Sequence, residues 1–231
     1  MTQKEVRWQN VAANVGKWLA YLIATGGAIT MLIPFLWMLR TSLMTGGQAN
    51  LYPPVIIPDP VLWDNYLEVF RKIPLAMFTW NSTKIAVLST IGTLLSSSLC
   101  GFSFARLRFP GRDAMFLLVL LTTMIPRSVT LIPLFIFYTR IGWIDTHHPF
   151  IVPTFFGGAF GIFLMRQFFL TLPQELFDAA TVDGADPIRQ YWQLALPLSV
   201  PALATIGLFH AVFSWGDLLN PLIFLNSIEK M

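Results

Sequence analysis

From Trp18 to Leu39 the chain carries no charged side chain, and a helix of that length crosses ~30 Å of hydrocarbon. Similar uncharged stretches recur from Ile85 to Ala105 and, broken by prolines and one arginine, from Ala114 to Thr139. Others follow from Pro149 to Met165, just before Arg166, and from Pro201 to Leu225, the last interrupted at Ser214-Trp215-Gly216-Asp217. In a bilayer only helices and closed barrels satisfy their own backbone, so runs this long predict an all-α integral membrane protein. Only 12% of its 231 residues are charged, about half the ~25% share of a soluble domain. A net charge of +3 without a block of basic residues gives no footprint for nucleic acid. The expected layout is an N-terminal arm over residues 1–17 and a membrane domain over 18–231. Its spans lie near 18–39, 85–105, 114–139, 149–168 and 201–225.

Within the spans, polar and small residues mark places of interest. Ser89, Thr90, Gly92, Thr93, Ser96, Ser97, Ser98, Gly101 and Ser103 crowd the second. Such residues let helices approach closely or line a polar path. Arg127 lies near the middle of the third span, between Pro126 and Pro133. A charge there costs at least ~2.5 kcal/mol unless it faces protein or water. Pairing with a carboxylate on a partner chain and contact with a polar or anionic solute both remain open for it. Gly157 and Gly158 interrupt the fourth span. Ser97, Arg127, Gly157 and Gly158 are thus the candidates for a pore lining. The single cysteine, Cys100, reads as a small packed residue.

Basic residues bias the orientation. Lys4, Arg7, Lys17, Arg106, Arg108, Arg112, Arg166 and Arg189 fall on one side if the first span starts inside, which favours a cytoplasmic N-terminus. The segment 171–200 then lies in the cytoplasm. There Thr171 and Gln174 suggest an N-terminal capping box, and Leu176, Phe177, Ala179, Ala180 and Val182 form an apolar ridge. Glu175, Asp178 and Asp183 supply acidic positions. Gly184 is placed for a left-handed C-terminal cap. Asp186-Pro187 starts a second helix, expected to run until Pro197 and Pro201 disturb it. Between Arg40 and about Trp80 a polar loop is expected, with Trp63, Tyr66, Leu67 and Phe70 spaced as one face of a short helix.

Catalytic signatures are missing from the sequence: it has no H-E-x-x-H, no G-x-x-x-x-G-K-[ST] and no G-x-S-x-G. His147-His148 reads as an exposed turn before Pro149, and His210 as a packed histidine of the fifth span. No cofactor is expected in this chain, and energy for any active transport must come from another one.

Asp178-Ala179-Ala180-x-x-Asp183-Gly184-Ala185, followed by Leu194-x-Leu196-Pro197, resembles the cytoplasmic EAA loop of ABC importer permeases. The family pattern is E-A-A-x-x-x-G-x(9)-I-x-L-P. Asp178 stands for its glutamate and Leu194 for its isoleucine. Phe104 to Gly111 is similar to the sugar-permease signature A-F-A-R-x-x-F-x-G. Met124-Ile125-Pro126, Leu131-Ile132-Pro133-Leu134 and Trp215-Gly216-Asp217 with Asn220-Pro221-Leu222 also resemble the maltose-type branch. Gly216 departs where asparagine is usual.

The resemblance implies a type I-like permease bundle, with five spans visible and a sixth missing. It implies a non-catalytic subunit of a multi-pass bacterial or archaeal cytoplasmic (inner) membrane importer, with sugar as the expected solute. It also implies an ATP-binding subunit dimer carrying ATP and Mg, a second permease subunit, an extracytoplasmic solute-binding protein and membrane lipid as partners. The ATPase-coupling residues would be Glu175, Asp178, Ala179, Ala180, Asp183, Gly184, Ala185, Leu194, Leu196 and Pro197. Permeases for a polyamine, peptide or phosphonate, and a membrane scaffold or enzyme lying on the bilayer through this segment, are the competing readings.

Overall fold

The computed structural model describes residues 3–231, with the side chains of residues 3–13, 15 and 127 outside the described set. The chain divides into two compact units, Met1–Leu75 and Ala76–Met231.

In the first unit, helix α1 runs from Gln3 to Ser42 and continues through Pro34, so the N-terminal arm and the first span share one helix. A single turn, α2 (Gly46–Ala49), is closed by Thr45, whose Oγ1 accepts from the Gln48 amide at 3.2 Å. The short helix expected around Trp63 and Phe70 is present as α3 (Asp64–Lys72). The Asn65 side chain donates to the Ser42 and Met44 carbonyls at 2.9 and 3.0 Å and ties the chain before α2 to α3.

The second unit is organised on α4 (Leu75–Arg106), which starts earlier than the loop expected to reach Trp80. Helix α5 (Arg112–Leu121) follows, then a 3-10 turn at Thr122–Met124 and α6 (Arg127–Arg140). Pro126 lacks the amide that would carry the helix through, and its extended backbone leaves the third span as a broken pair bent by more than 40°. Helix α7 (His148–Ile151), a 3-10 segment Val152–Phe156 and α8 (Ala159–Thr171) form the fourth span. Helix α9 (Gln174–Val182) and α10 (Pro187–Gln190) come next. A π-helical stretch, Tyr191–Ala195, leads from α10 into α11 (Leu196–Leu198). Helix α12 (Val200–Trp215) bends away from it by 75°, and α13 (Leu219–Phe224) lies beyond the Trp215-Gly216-Asp217 interruption. Among the described residues three helices are long and apolar enough to cross a membrane, or five if each bent pair is one span.

Two boundaries differ from the sequence reading. Thr171 does not cap α9: it is the last residue of α8, and its hydroxyl donates back to the Phe168 carbonyl at 2.7 Å. The cap position belongs to Pro173, which provides no side-chain bond. Nor does Pro197 end the second helix of the loop. It sits in the first turn of α11, where its missing amide costs little, and the bend falls at Ser199 instead.

The small residues of α4 serve helix packing. A Cβ on Gly101 would stand 2.5 Å from Met165 Cβ, and one on Gly92 2.3 Å from Thr154 Oγ1. Ser96 donates to the Thr154 carbonyl at 2.8 Å, a bond across two helices whose backbones are close enough to touch. Ser97 is fully buried, and a Cβ on Gly161 would come 2.2 Å from its Oγ. This serine, singled out for a pore lining, is instead enclosed in the α4–α8 contact.

A clasp joins the loop after α6 to the segment after α13. Asp145 has φ 61, a left-handed conformation aspartate tolerates. Its amide donates to the Phe224 carbonyl at 2.8 Å. Its carboxylate accepts from the amides of Asn226 (3.0 Å) and Ser227 (2.8 Å) and from the Ser227 hydroxyl. The Ser227 side-chain and backbone bonds, then that of Asn226, favour the ionised form and hold its pKa below the usual carboxylate range. With a depressed folded-state pKa, the clasp is fully formed at neutral pH and is lost as pH falls through that lowered value. Asp145→Asn, which keeps the left-handed preference, is expected to speed amide exchange at Asn226 and Ser227 at neutral pH. Acidification of the unmodified protein through that lowered pKa should likewise reduce the protection of these two amides, measured against the intrinsic exchange rate at each pH.

Candidate functional site: the α9–α10 loop

A compact core at one end of the second unit seats the loop. Phe102, Met165, Phe169, Phe177, Tyr191, Ala195, Ala202 and Ile206 are buried together there. Phe102 of α4 is at its centre, with its ring 5.7 Å from Phe169, 6.3 Å from Phe177 and 5.4 Å from Tyr191. The Tyr191 hydroxyl shares a 2.7 Å hydrogen bond with Ser98, so its buried polar end is satisfied.

Phe177 therefore points inward and leaves the ridge expected of Leu176, Phe177, Ala179, Ala180 and Val182. Glu175, Leu176, Ala179, Val182 and Asp183 are exposed. At spacings of one, three and four they share one side of α9. Val182 is 87% exposed, an apolar side chain presented outward at the tip. Ala180 and Ala185 are half-buried on the side of the bundle.

The turn at the tip closes as a Schellman motif. The Gly184 amide donates to the Thr181 carbonyl at 3.0 Å and the Ala185 amide to the Ala180 carbonyl at 2.9 Å. Gly184 has φ +80 with no atom within 4 Å of where a Cβ would stand, so backbone conformation alone calls for glycine there. Asp186 caps α10 by accepting from the Arg189 amide at 2.7 Å. Gln190 donates to Ala185 O at 3.0 Å and to Thr181 Oγ1 at 2.9 Å and fixes the angle between the two helices. Ile188 and Trp192 are 70% and 51% exposed and carry the apolar surface onward. Leu194 and Leu196 are half-buried and Pro197 is exposed.

Residues suggested for the pore lie elsewhere. Gly157 (φ +95) and Gly158 form the joint between the 3-10 segment and α8. The side chain of Arg127 lies outside the described residues. A separate cavity of about 260 Å³ opens among α4, α6, α7, α12 and α13. Tyr138, His210, Ser214, Trp215, Asp217 and Asn220 contribute to its wall. Asp217 accepts from the Asn220 amide at 3.2 Å and from its side chain at 2.7 Å. Asp217 is the only carboxylate in that lining, which has no lysine or arginine among the described residues. In the sequence the Trp215–Asp217 segment stands out as a break in the last apolar span and through family likeness, but not as a cavity wall, because the cavity depends on helices far apart in the chain.

With this geometry the chain matches one family. The model of the binding-protein-dependent transport system inner membrane component covers residues 97–228, and the chain belongs to that family. It is the permease component of a binding-protein-dependent ABC importer, a non-catalytic, multi-pass inner-membrane subunit. The sn-glycerol-3-phosphate transport system permease protein UgpE of Brucella suis is 31% identical over 222 residues, 93% of this chain and 78% of that protein. The osmoprotective compounds uptake permease protein GgtD of Synechocystis is 31% identical, covering 95% and 74%. The lactose transport system permease protein LacG of Rhizobium radiobacter is 32% identical, covering 90% and 75%. Among solved structures, a bacterial ABC transporter involved in import of the acidic polysaccharide alginate shares the fold. Its TM-score is 0.81 at 22% identity, covering 95% of this chain and 77% of that one.

Proposed function

We propose that the exposed side of α9, with Gly184 and α10, docks in a cleft of an ATP-binding subunit, and that the chain forms half of a pore for an uncharged, polyhydroxylated solute. The observation that carries the docking reading is the division of α9. Phe177 fixes it to the bundle, while Glu175, Leu176, Ala179, Val182 and Asp183 face outward. An amphipathic helix with apolar anchors is what helix-in-groove docking uses. ATP and Mg belong to the partner. Two such subunits closing on ATP would push the loops of this chain and of a second permease together, and an extracytoplasmic binding protein would deliver the solute. The N-terminus is then cytoplasmic, and lipid covers the exposed apolar side chains of α1.

The cavity supports the solute class. Aromatic faces beside a carboxylate and an amide suit hydroxyl donors, whereas a phosphorylated solute would meet Asp217 with no arginine or lysine among the described lining residues to offset it. Asp217 also favours a second reading, a cationic solute such as a polyamine. Gentle purification of the tagged chain from its native membrane, followed by mass spectrometry, tests the assembly. An ATP-binding subunit and a second permease are the expected companions; recovery of the chain alone would remove the docking reading. Uptake by that complex should be inhibited by neutral sugars and not by spermidine or sn-glycerol 3-phosphate.

A further inference from the structure

Arg106 is the last residue of α4, and its guanidinium reaches across to the base of the loop. Nη1 donates to Gln174 Oε1 at 2.6 Å. Nη2 donates to the Leu172 carbonyl at 2.7 Å and to the Phe169 carbonyl. The guanidinium carbon lies 4.1 Å above the centre of the Phe177 ring. Gln174 in turn donates from Nε2 to Asp178 Oδ1 at 3.0 Å. One planar group thus holds two carbonyls at the C-terminal end of α8, the first residue of α9 and the ring that seats α9. A fork of donors suits this arrangement and a single ammonium does not.

We propose that Arg106 is a positioning residue for energy coupling. It makes the end of α8, α9 and the end of α4 move as one body, so a displacement imposed on the loop reaches the membrane part of α4. This rests on the docking reading above. It also reassigns Asp178, the acidic residue of the Asp178-Ala179-Ala180 motif. Through Gln174, Asp178 belongs to the latch of its own chain, and Glu175 and Asp183 are the acidic residues left on the docking side. A group that only capped α8 would explain the two carbonyl bonds, but not the bond to Gln174, its relay to Asp178 or the stacking on Phe177.

The test uses the assembled transporter in lipid nanodiscs, in a Cys100→Ser background, with spin labels at Val182 on α9 and Leu99 on α4. Distances are measured without nucleotide and after trapping with ATP and vanadate. A third label on the ATP-binding subunit reports whether that subunit closes. In the otherwise unmodified chain the 182–99 distance is expected to stay constant while the ATP-binding subunits close. In Arg106→Gln it should shift and broaden on trapping, with transport per ATP hydrolysed falling about 10-fold, within the usual span of allosteric couplings. Arg106→Lys should restore little, since it cannot bridge Gln174 and the carbonyls together. Gln174→Leu, which leaves both carbonyl bonds in place, should give the same broadening in smaller degree and serves if Arg106→Gln does not assemble.

An unchanged 182–99 distance in both Arg106→Gln and Gln174→Leu would overturn the latch. So would a distance that already changes in the otherwise unmodified chain. Absence of closure by the ATP-binding subunit, or of that subunit from the complex, would instead count against the docking reading itself.

Discussion

Gly101→Leu is expected to prevent assembly of the transporter, the largest effect of any single change considered. A Cβ at Gly101 would stand 2.5 Å from Met165 Cβ and 2.9 Å from the Arg166 backbone nitrogen. The second of these is main chain and cannot rotate away, and Met165 is fully buried with no space to retreat into. Overpacking of a tight core costs roughly 1–3 kcal/mol when neighbours can adjust. Here α4 and α8 must separate, which also strains the Ser96–Thr154 bond from α4 to the 3-10 segment preceding α8 and opens the core around Phe102. Alanine at the same position should already lower the unfolding temperature in detergent. Gly26→Leu in α1 is the control, because nothing lies within 4 Å of a Cβ there. Fluorescence-detected gel filtration of the tagged chain after heating should show loss of the folded peak for Gly101→Leu and an unchanged profile for Gly26→Leu.

Phe177→Ala is expected to release α9 while leaving the membrane helices in place. Phe177 is 3% exposed and touches both the Phe102 ring and the Arg106 guanidinium. Emptying such a site costs ~3–5 kcal/mol. A helix as short as α9 has almost no stability of its own, so that loss exceeds what holds it against the bundle. Amide exchange should rise throughout 174–184 and stay slow in the buried middle of α4. Val182→Ala, at a position 87% exposed, should change exchange little, as surface substitutions usually stay within about 0.5 kcal/mol. Equal loss of protection in α4 would show that α9 and the bundle unfold together and that the seat is not a separate contact.

The parts of this structure that were legible in the sequence are those with local causes. Gly184 followed by Asp186-Pro187 describes its own turn: one residue needs a positive φ, one caps, one lacks an amide where none is required. Pro126 announces the break in the third span for the same reason. The direction in which α9 faces was not legible. Leu176, Phe177, Ala179, Ala180 and Val182 go more than halfway round a helix, and only the aromatic cluster of Phe102, Phe169 and Tyr191 decides that Phe177 is the residue turned in. The stripe of small residues on α4 predicted close packing, yet Ser97 could equally have lined a path until Gly161 was found against it. Thr171 offered a plausible cap, but α8 extends to include it and its hydroxyl donates back to the Phe168 carbonyl, leaving the cap position to Pro173. Arg106 closed a familiar motif without revealing a role, because all of its contacts except the stacking ring lie with backbone and amide groups more than sixty positions away.

The central claim is that the outward side of α9 meets an ATP-binding subunit, and site-specific photo-crosslinking from that side tests it most directly. A benzophenone amino acid at Val182, activated in native membranes, is predicted to join this chain to an ATP-binding protein. The same probe at Leu22, in the exposed apolar stretch of α1, should not do so. Crosslinks from Val182 to lipid or to a second permease alone, in membranes where the transporter still hydrolyses ATP, would contradict the account.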